Sequence, residues 1–314
     1  MRHSAPRRDQ VGTRSRVRQR PHNRGIRFER VRAVIGKIIG AGTRASLVAL
    51  LFALPAVVLP SVSADAIQIM LLFALFSACL VFIEYATSAP SILEFRYAPP
   101  FNRLRFLAIF FTVFALSVIA RGELAPNAFT AFLHALGIIV GDVIDFPYSP
   151  VRLMVIMLPE NATPELIREV RTASGLSYLI SMITLAVFYF FVRILEWPAR
   201  NGAFNVWVNL PLFDPTAGGD VLPRLQRDGR LNIALGFLMP FLIPAIIQMM
   251  SDLIDPIYLS DPLTMIWTIS AWAFIPASMI MRGMAMTRVA TMIDENRRRA
   301  YAASRGMHPA SSTA

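Results

Sequence analysis

The chain has 314 residues, 55% of them hydrophobic and only 16% charged, and its mean hydropathy is +0.52. Soluble globular proteins carry about 25% charged residues, so this composition excludes an ordinary soluble protein and indicates an integral membrane protein. A single cysteine, Cys79, excludes an intrachain disulfide framework and a cysteine-based zinc or iron–sulfur site. Three of the four histidines lie in polar terminal segments, so the sequence predicts no metal centre and no bound cofactor.

The first 45 residues form a basic tail with two parts. Residues 1–25 contain eight arginines and no apolar periodicity, so we expect them to be disordered. Residues 26–44 place apolar side chains on one helical face, which predicts an amphipathic helix on an anionic membrane surface. The predicted lipid-contacting residues are Arg27, Arg30, Arg32, Lys37 and Arg44. The alternative is that these residues only orient the chain, whereas nucleic-acid binding is disfavoured because no aromatic residue precedes Phe28.

Six uncharged, apolar stretches follow this tail, each bracketed by charged residues. They are residues 45–64, 66–83, 106–120, 172–192, 231–251 and 262–281. Because about 20 apolar residues in a helix cross the hydrocarbon core, they predict a transmembrane domain over residues 46–283. Residues 284–314 then form a second basic tail. We therefore expect an all-α, polytopic integral membrane protein with six transmembrane helices.

A seventh apolar segment, residues 124–141, is long enough to span but carries His134 in its middle. The basic residues decide between the two topologies, because cytoplasmic loops are enriched in arginine and lysine. With six spans, 27 basic residues lie on the side of the termini and four on the other side, whereas a seventh span changes this division to 19 and 12. The sequence therefore predicts that both termini are cytoplasmic. It also predicts that residues 124–158 form a re-entrant or interfacial helical region.

Two local patterns predict structure in the connecting segments. Thr163, followed by Pro164 and Glu165, is typical of a helix start with Thr163 as the N-cap. Residues 205–210 alternate with a period of two, which favours extended structure.

The candidate pathway residues form three groups: a histidine with two aspartates, two prolines inside the fifth span, and two aspartates after that span. They are His134, Asp142, Asp145, Pro240, Pro244, Asp252 and Asp255. On one helix, His134 and Asp145 would share a face but lie about 16 Å apart, too far for one metal ion. Each proline frees a carbonyl, as in broken helices at substrate sites, although the matching span 66–83 contains no proline. All three groups also have an ordinary structural interpretation: a packed histidine, kinks covered by neighbouring helices, and solvated acids.

The polar residues of the six spans suggest the kind of function. The spans contain no charged residue, and their polar side chains are of the type that hydrogen-bond between helices. This favours a non-enzymatic scaffold or accessory subunit that packs against other membrane proteins, and no paired catalytic groups indicate an enzyme. The alternative is a transporter or channel component with a pathway at residues 124–158 and 231–250. One lysine against thirty arginines is typical of a GC-rich genome, which favours a bacterial inner membrane.

Overall fold

The computed structural model describes residues 22–60, 62–88, 91–198, 206–213, 219–250 and 259–306. Within these ranges the chain forms nine helices and no strand. They are α1 (His22–Val58), α2 (Ala64–Ala86), α3 (Phe101–Leu124), α4 (Ala128–Ile144), α5 (Pro150–Ile156), α6 (Pro164–Arg193), α7 (Val206–Asn209), α8 (Val221–Met249) and α9 (Pro262–Gly306). Six of these helices, α1, α2, α3, α6, α8 and α9, are long and apolar enough to cross a membrane. The predicted fold class, an all-α polytopic membrane protein, is therefore confirmed.

Six crossings place the start of α1 and the end of α9 on the same side of the bundle. We call this the tail side and the opposite one the far side. Along the chain, α4 and α5 connect the far-side ends of α3 and α6, and both pack against α6. α4 has 17 residues and is about 25 Å long, whereas α5 has seven residues. Neither is among the six long apolar helices, in agreement with the helical region expected over residues 124–158.

Polar side chains define the starts of the far-side helices. The Thr163 hydroxyl accepts a hydrogen bond from the Leu166 N–H at 3.3 Å, and Pro164 is the first residue of α6, so the predicted helix start is confirmed. Asn127 caps α4 in a reciprocal arrangement with Thr130. These bonds satisfy backbone N–H groups that have no partner within a helix.

The structure differs from two sequence-based expectations. Residues 205–210 were expected to favour extended structure, but α7 is a helical turn in which the Leu210 N–H donates to the Val206 carbonyl at 2.8 Å. That expectation was wrong because a strand requires a neighbouring strand, and the described residues contain none. The amphipathic tail helix and the first span were expected as separate segments, but α1 runs through both without a break. Residues 1–21 lie outside the described part of the chain.

Helices α8 and α9 extend well beyond their predicted spans on the tail side. α9 has 45 residues and is about 67 Å long, twice the thickness of the hydrocarbon core. It packs tightly against α8, since a Cβ atom added at Gly283 would lie 2.5 Å from the Gly229 carbonyl oxygen. Farther out, the Arg297 guanidinium donates two hydrogen bonds of 2.8 Å to Asp220, the N-cap of α8. This contact lowers the pKa of the Asp220 carboxyl, so it weakens as the pH falls through that pKa.

An aromatic cluster fills the core at the tail-side end of the bundle. Phe95 and Phe101 have ring centroids 4.6 Å apart, and Phe188 and Trp197 have centroids 5.3 Å apart. The indole N–H of Trp197 also donates to the carbonyls of Ala98 and Pro99. The connection between α2 and α3 is therefore packed into the bundle as part of its core.

Candidate functional site

The structure does not bring the predicted far-side residues into one site. The side chain of Asp145 is buried, and its carboxylate lies 2.8 Å from the Nε of Arg171 and 3.2 Å from the Nε of Arg152. Asp142 is exposed and lies 3.5 Å from another nitrogen of Arg171. His134 is half-buried. The two aspartates therefore belong to an ion-pair network that joins α4, α5 and α6.

The burial of Asp145 predicts a difference between the two aspartates. We expect Asp145→Asn to destabilise the protein by about 2 kcal/mol, because it leaves two arginines beside an uncharged amide. Partial exposure of Arg152 and Arg171 keeps the effect below that of a fully buried pair. The same change at exposed Asp142 is expected to cost less than about 0.5 kcal/mol. Thermal unfolding in detergent measures both, and equal effects would contradict the assignment of Asp145 as the buried partner.

His134 instead lines a separate cavity of about 240 Å³ near the end of α3. Glu123 and Thr130 contribute polar atoms to the same cavity. The Glu123 carboxyl also lies near the carboxyl of Glu169 on α6. Among the described residues, no three histidine, cysteine or acidic side chains are placed to hold a metal ion. Glu123 and Glu169 carry no functional signal in the sequence, because they lie near helix ends, where charged residues are common.

In the proline-containing helix α8, the freed carbonyl is bonded and covered by the neighbouring helix α9. Pro244 has no N–H, so the carbonyl of Pro240 loses its helical partner. The indole N–H of Trp272 on α9 donates to this carbonyl at 3.0 Å. One turn earlier, a Cβ added at Gly236 would lie 2.7 Å from the Pro276 carbonyl oxygen, so no space separates the two helices there. The predicted pathway residues Asp252 and Asp255 lie outside the described part of the chain.

A cleft with both charged and apolar lining residues lies on the tail side between α3, α9 and the loop that precedes α3. Its volume is about 330 Å³. The lining residues are Ile92, Glu94, Arg105, Leu212, Phe274, Ile275, Ser278, Met279 and Arg282. Arg282 forms a bidentate ion pair with Glu94, with N–O distances of 2.5 and 2.8 Å. Arg105 stands beside this pair, with its guanidinium 5.5 Å from the ring centre of Phe101 and 5.9 Å from that of Phe274.

The loop that carries Glu94 is fixed by the buried carboxylate of Glu84, in the last turn of α2. This carboxylate accepts hydrogen bonds from the N–H groups of Ser91, Ile92 and Leu93 at 2.7 to 3.0 Å, and from the Ser91 hydroxyl at 2.8 Å. Arg96 donates to the Glu84 carbonyl and to the Tyr97 hydroxyl. In the sequence, Glu84 is only the charged residue that follows the apolar stretch 66–83, and its role depends on a loop that folds back over the helix end.

The hairpin of α1 and α2 presents apolar side chains that no other described helix covers. α2 packs against α1, and the structure gives it no other extensive helix contact among the described residues. One face of α2, which we call its outer face, carries exposed residues at helical spacing. These are Ile69, Leu72, Phe76, Cys79 and Ile83.

The predicted lipid-contacting residues lie along the tail-side part of α1. Arg32 is exposed and Lys37 is half-buried. Arg44 donates to the Gly40 carbonyl at 2.7 Å and stacks 4.5 Å from the ring centre of Tyr85. Exposed apolar residues Val31, Val34, Ile35, Ile38 and Ile39 accompany them. The side chains of Arg27 and Arg30 lie outside the described part of the structure, and lipid contact stays a prediction for all five basic residues.

Comparison with known proteins gives no relative from which a function could be transferred. The chain matches no protein-family model, no curated protein and no solved structure.

Proposed function

We propose that the protein is a non-enzymatic scaffold or accessory subunit that packs against another membrane protein within a bacterial inner membrane, with both termini in the cytoplasm. The interior contacts support this over a transport role. Asp145 is paired with two arginines, and the carbonyl freed by Pro244 is bonded to Trp272. Asp145 and the carbonyl freed by Pro244 thus take part in contacts between helices. The excess of basic residues on the tail side supports the cytoplasmic location of the termini.

The outer face of α2 is the observation that carries the proposal. In the most apolar part of α2 only 11% of the residues are buried, the lowest share among the six long helices, against 17% in α8, 44% in α3 and 50% in α9. The outer-face residues follow a three–four spacing, with Ile69, Leu72 and Phe76 as its first members. This spacing suits packing against one helix at a small crossing angle. The partner that fits is therefore an apolar transmembrane helix of another protein.

Site-specific photo-crosslinking in cells tests this surface. The photoreactive analogue p-benzoylphenylalanine is placed at Phe76, which is 61% exposed on α2. We expect an adduct of one defined mass, and we expect the crosslinked protein to co-purify stoichiometrically with the wild-type chain in mild detergent. The matched control is the same analogue at Phe237, which is 63% exposed on α8. If Phe76 gives lipid adducts alone while the protein accumulates normally, the proposed interface on α2 is wrong.

A transporter or channel component is the second candidate, and the cavity beside His134 favours it. His134 and Glu123 line this cavity, and ionisable residues near membrane depth commonly mark ion pathways. The variant Glu123→Gln distinguishes the two functions. A variant that accumulates normally and keeps its partner but loses ion flux would favour transport, whereas unchanged flux and partner binding favour the scaffold.

A further inference from the structure

The tail-side cleft is amphipathic along the axis of α9. Ile275, Ser278, Met279 and Arg282 follow one another on one face of this helix, and all four line the cleft. Arg282 lies at its polar end, and Phe274 and Ile275 form an apolar wall about two helical turns closer to the start of α9. A ligand that fills this shape has an anionic head and an apolar chain.

The depth of Arg282 places the polar end at the level of the lipid headgroups. α9 begins at Pro262 on the far side, so Arg282 lies about 30 Å along the helix axis. This distance equals the thickness of the hydrocarbon core. Arg105 lies in the second turn of α3, which begins at Phe101 on the same side. Both guanidinium groups therefore stand where the phosphates of the tail-side leaflet lie.

Among the described residues, the guanidinium of Arg105 forms no direct ion pair in the cleft. The carboxylate of Glu94 is instead paired with Arg282 through two hydrogen bonds. Within the described part of the chain, the Nε of Arg105 is buried with no hydrogen-bond partner, and the side chain's other contacts are with aromatic rings and the more distant charges of Glu94 and Arg282. Buried donors in proteins are almost always satisfied, and a guanidinium is well suited to bind a phosphate through two N–H groups.

We propose that this cleft binds an anionic phospholipid, with its phosphate on Arg105 and an acyl chain along Phe274, Ile275 and Met279. The apolar wall, which continues toward the hydrocarbon core, favours a lipid over a free phosphate ion. This site is separate from the outer face of α2 and does not depend on the proposed function. It also differs from the basic part of α1, because it binds one lipid between helices.

Native mass spectrometry of the full chain, purified in mild detergent, tests the proposal. Phosphatidylglycerol, phosphatidylcholine and inorganic phosphate are added separately. We expect one phosphatidylglycerol to be retained per chain, and we expect Arg105→Gln to reduce its affinity about tenfold through the loss of charge-assisted hydrogen bonds. Arg103→Gln is the matched control, since Arg103 lies two residues away on α3 and is exposed, and it should bind like the wild type.

Two further measurements keep the test decisive if Arg105→Gln does not fold. Arg105→Lys, which keeps the charge, should retain part of the affinity. In the wild type, phosphatidylglycerol should raise the unfolding temperature and phosphatidylcholine should not, because a ligand of the folded state stabilises it. Equal retention of the two lipids, or unchanged binding by folded Arg105→Gln, would overturn the proposal. Binding of inorganic phosphate as tight as that of the lipid would identify a free-anion site instead.

Discussion

Gly175→Ala is expected to destabilise the protein by about 3 kcal/mol, because the added methyl group has no space between α4 and α6. A Cβ at Gly175 would lie 2.5 Å from the Cα of Gly141 and 2.8 Å from its backbone nitrogen. These are backbone atoms, so α4 as a whole must move away from α6. Thermal unfolding of the detergent-purified protein should show a midpoint lowered by about 6 °C.

The control for this prediction is Gly42→Ala, the same change in the membrane helix α1. A Cβ at Gly42 would meet no described atom within 4 Å. Because alanine loses less conformational entropy than glycine when a helix forms, this variant should be neutral or more stable by up to about 1 kcal/mol. Equal destabilisation by both variants would mean that the contact between Gly141 and Gly175 does not limit helix packing.

Glu84→Ala is expected to have the larger effect, a loss of about 4 kcal/mol, because it removes the acceptor of four hydrogen bonds. Three backbone N–H groups would lose their partner where the loop folds against α2. Glu84→Gln keeps one acceptor oxygen and should lose about half as much. The measurement is again thermal unfolding in detergent.

Trypsin adds a local measurement for Glu84. Arg96 is buried within the same loop, and release of the loop should make it a cleavage site in Glu84→Ala at temperatures where the wild type is uncut. Glu295→Ala is the matched control, since Glu295 is exposed on α9 and its loss should change stability by less than about 0.5 kcal/mol. A folded Glu84→Ala variant with the wild-type unfolding temperature and no cleavage at Arg96 would refute the anchoring role.

The membrane made the six spans predictable, since the hydrocarbon core sets a minimum length for an apolar helix. It provides no such signal for the parts of helices in water. Thus the first 20 residues of α9 match the predicted span. The continuation past Arg282 contains polar residues, and no pattern in them predicts how long the helix is. The helix start at Thr163 was predictable because its signal is local.

The site residues depended on pairs that are distant along the chain. Glu94 and Arg282 lie 188 residues apart, and only the packing of α9 beside the loop makes them partners. Because Pro244 has no N–H, the sequence predicts a free carbonyl at Pro240. The group that donates to this carbonyl, the indole N–H of Trp272, belongs to another helix and was not predictable. A charged residue near a helix end has the same sequence context whether its carboxylate is exposed, as at Asp142, or buried against arginines, as at Asp145.

The length of α9 connects the membrane mechanically to the water-exposed end of the protein. The part beyond Arg282 is about 36 Å long and continues the same helix that crosses the bilayer. A helix behaves over this distance as a stiff rod, so a 10° tilt of the crossing part displaces its outer end by about 6 Å. The ion pair between Arg297 and Asp220 ties this end to α8. A change in bilayer thickness that tilts α9 would therefore strain this ion pair, which lies far from the lipid.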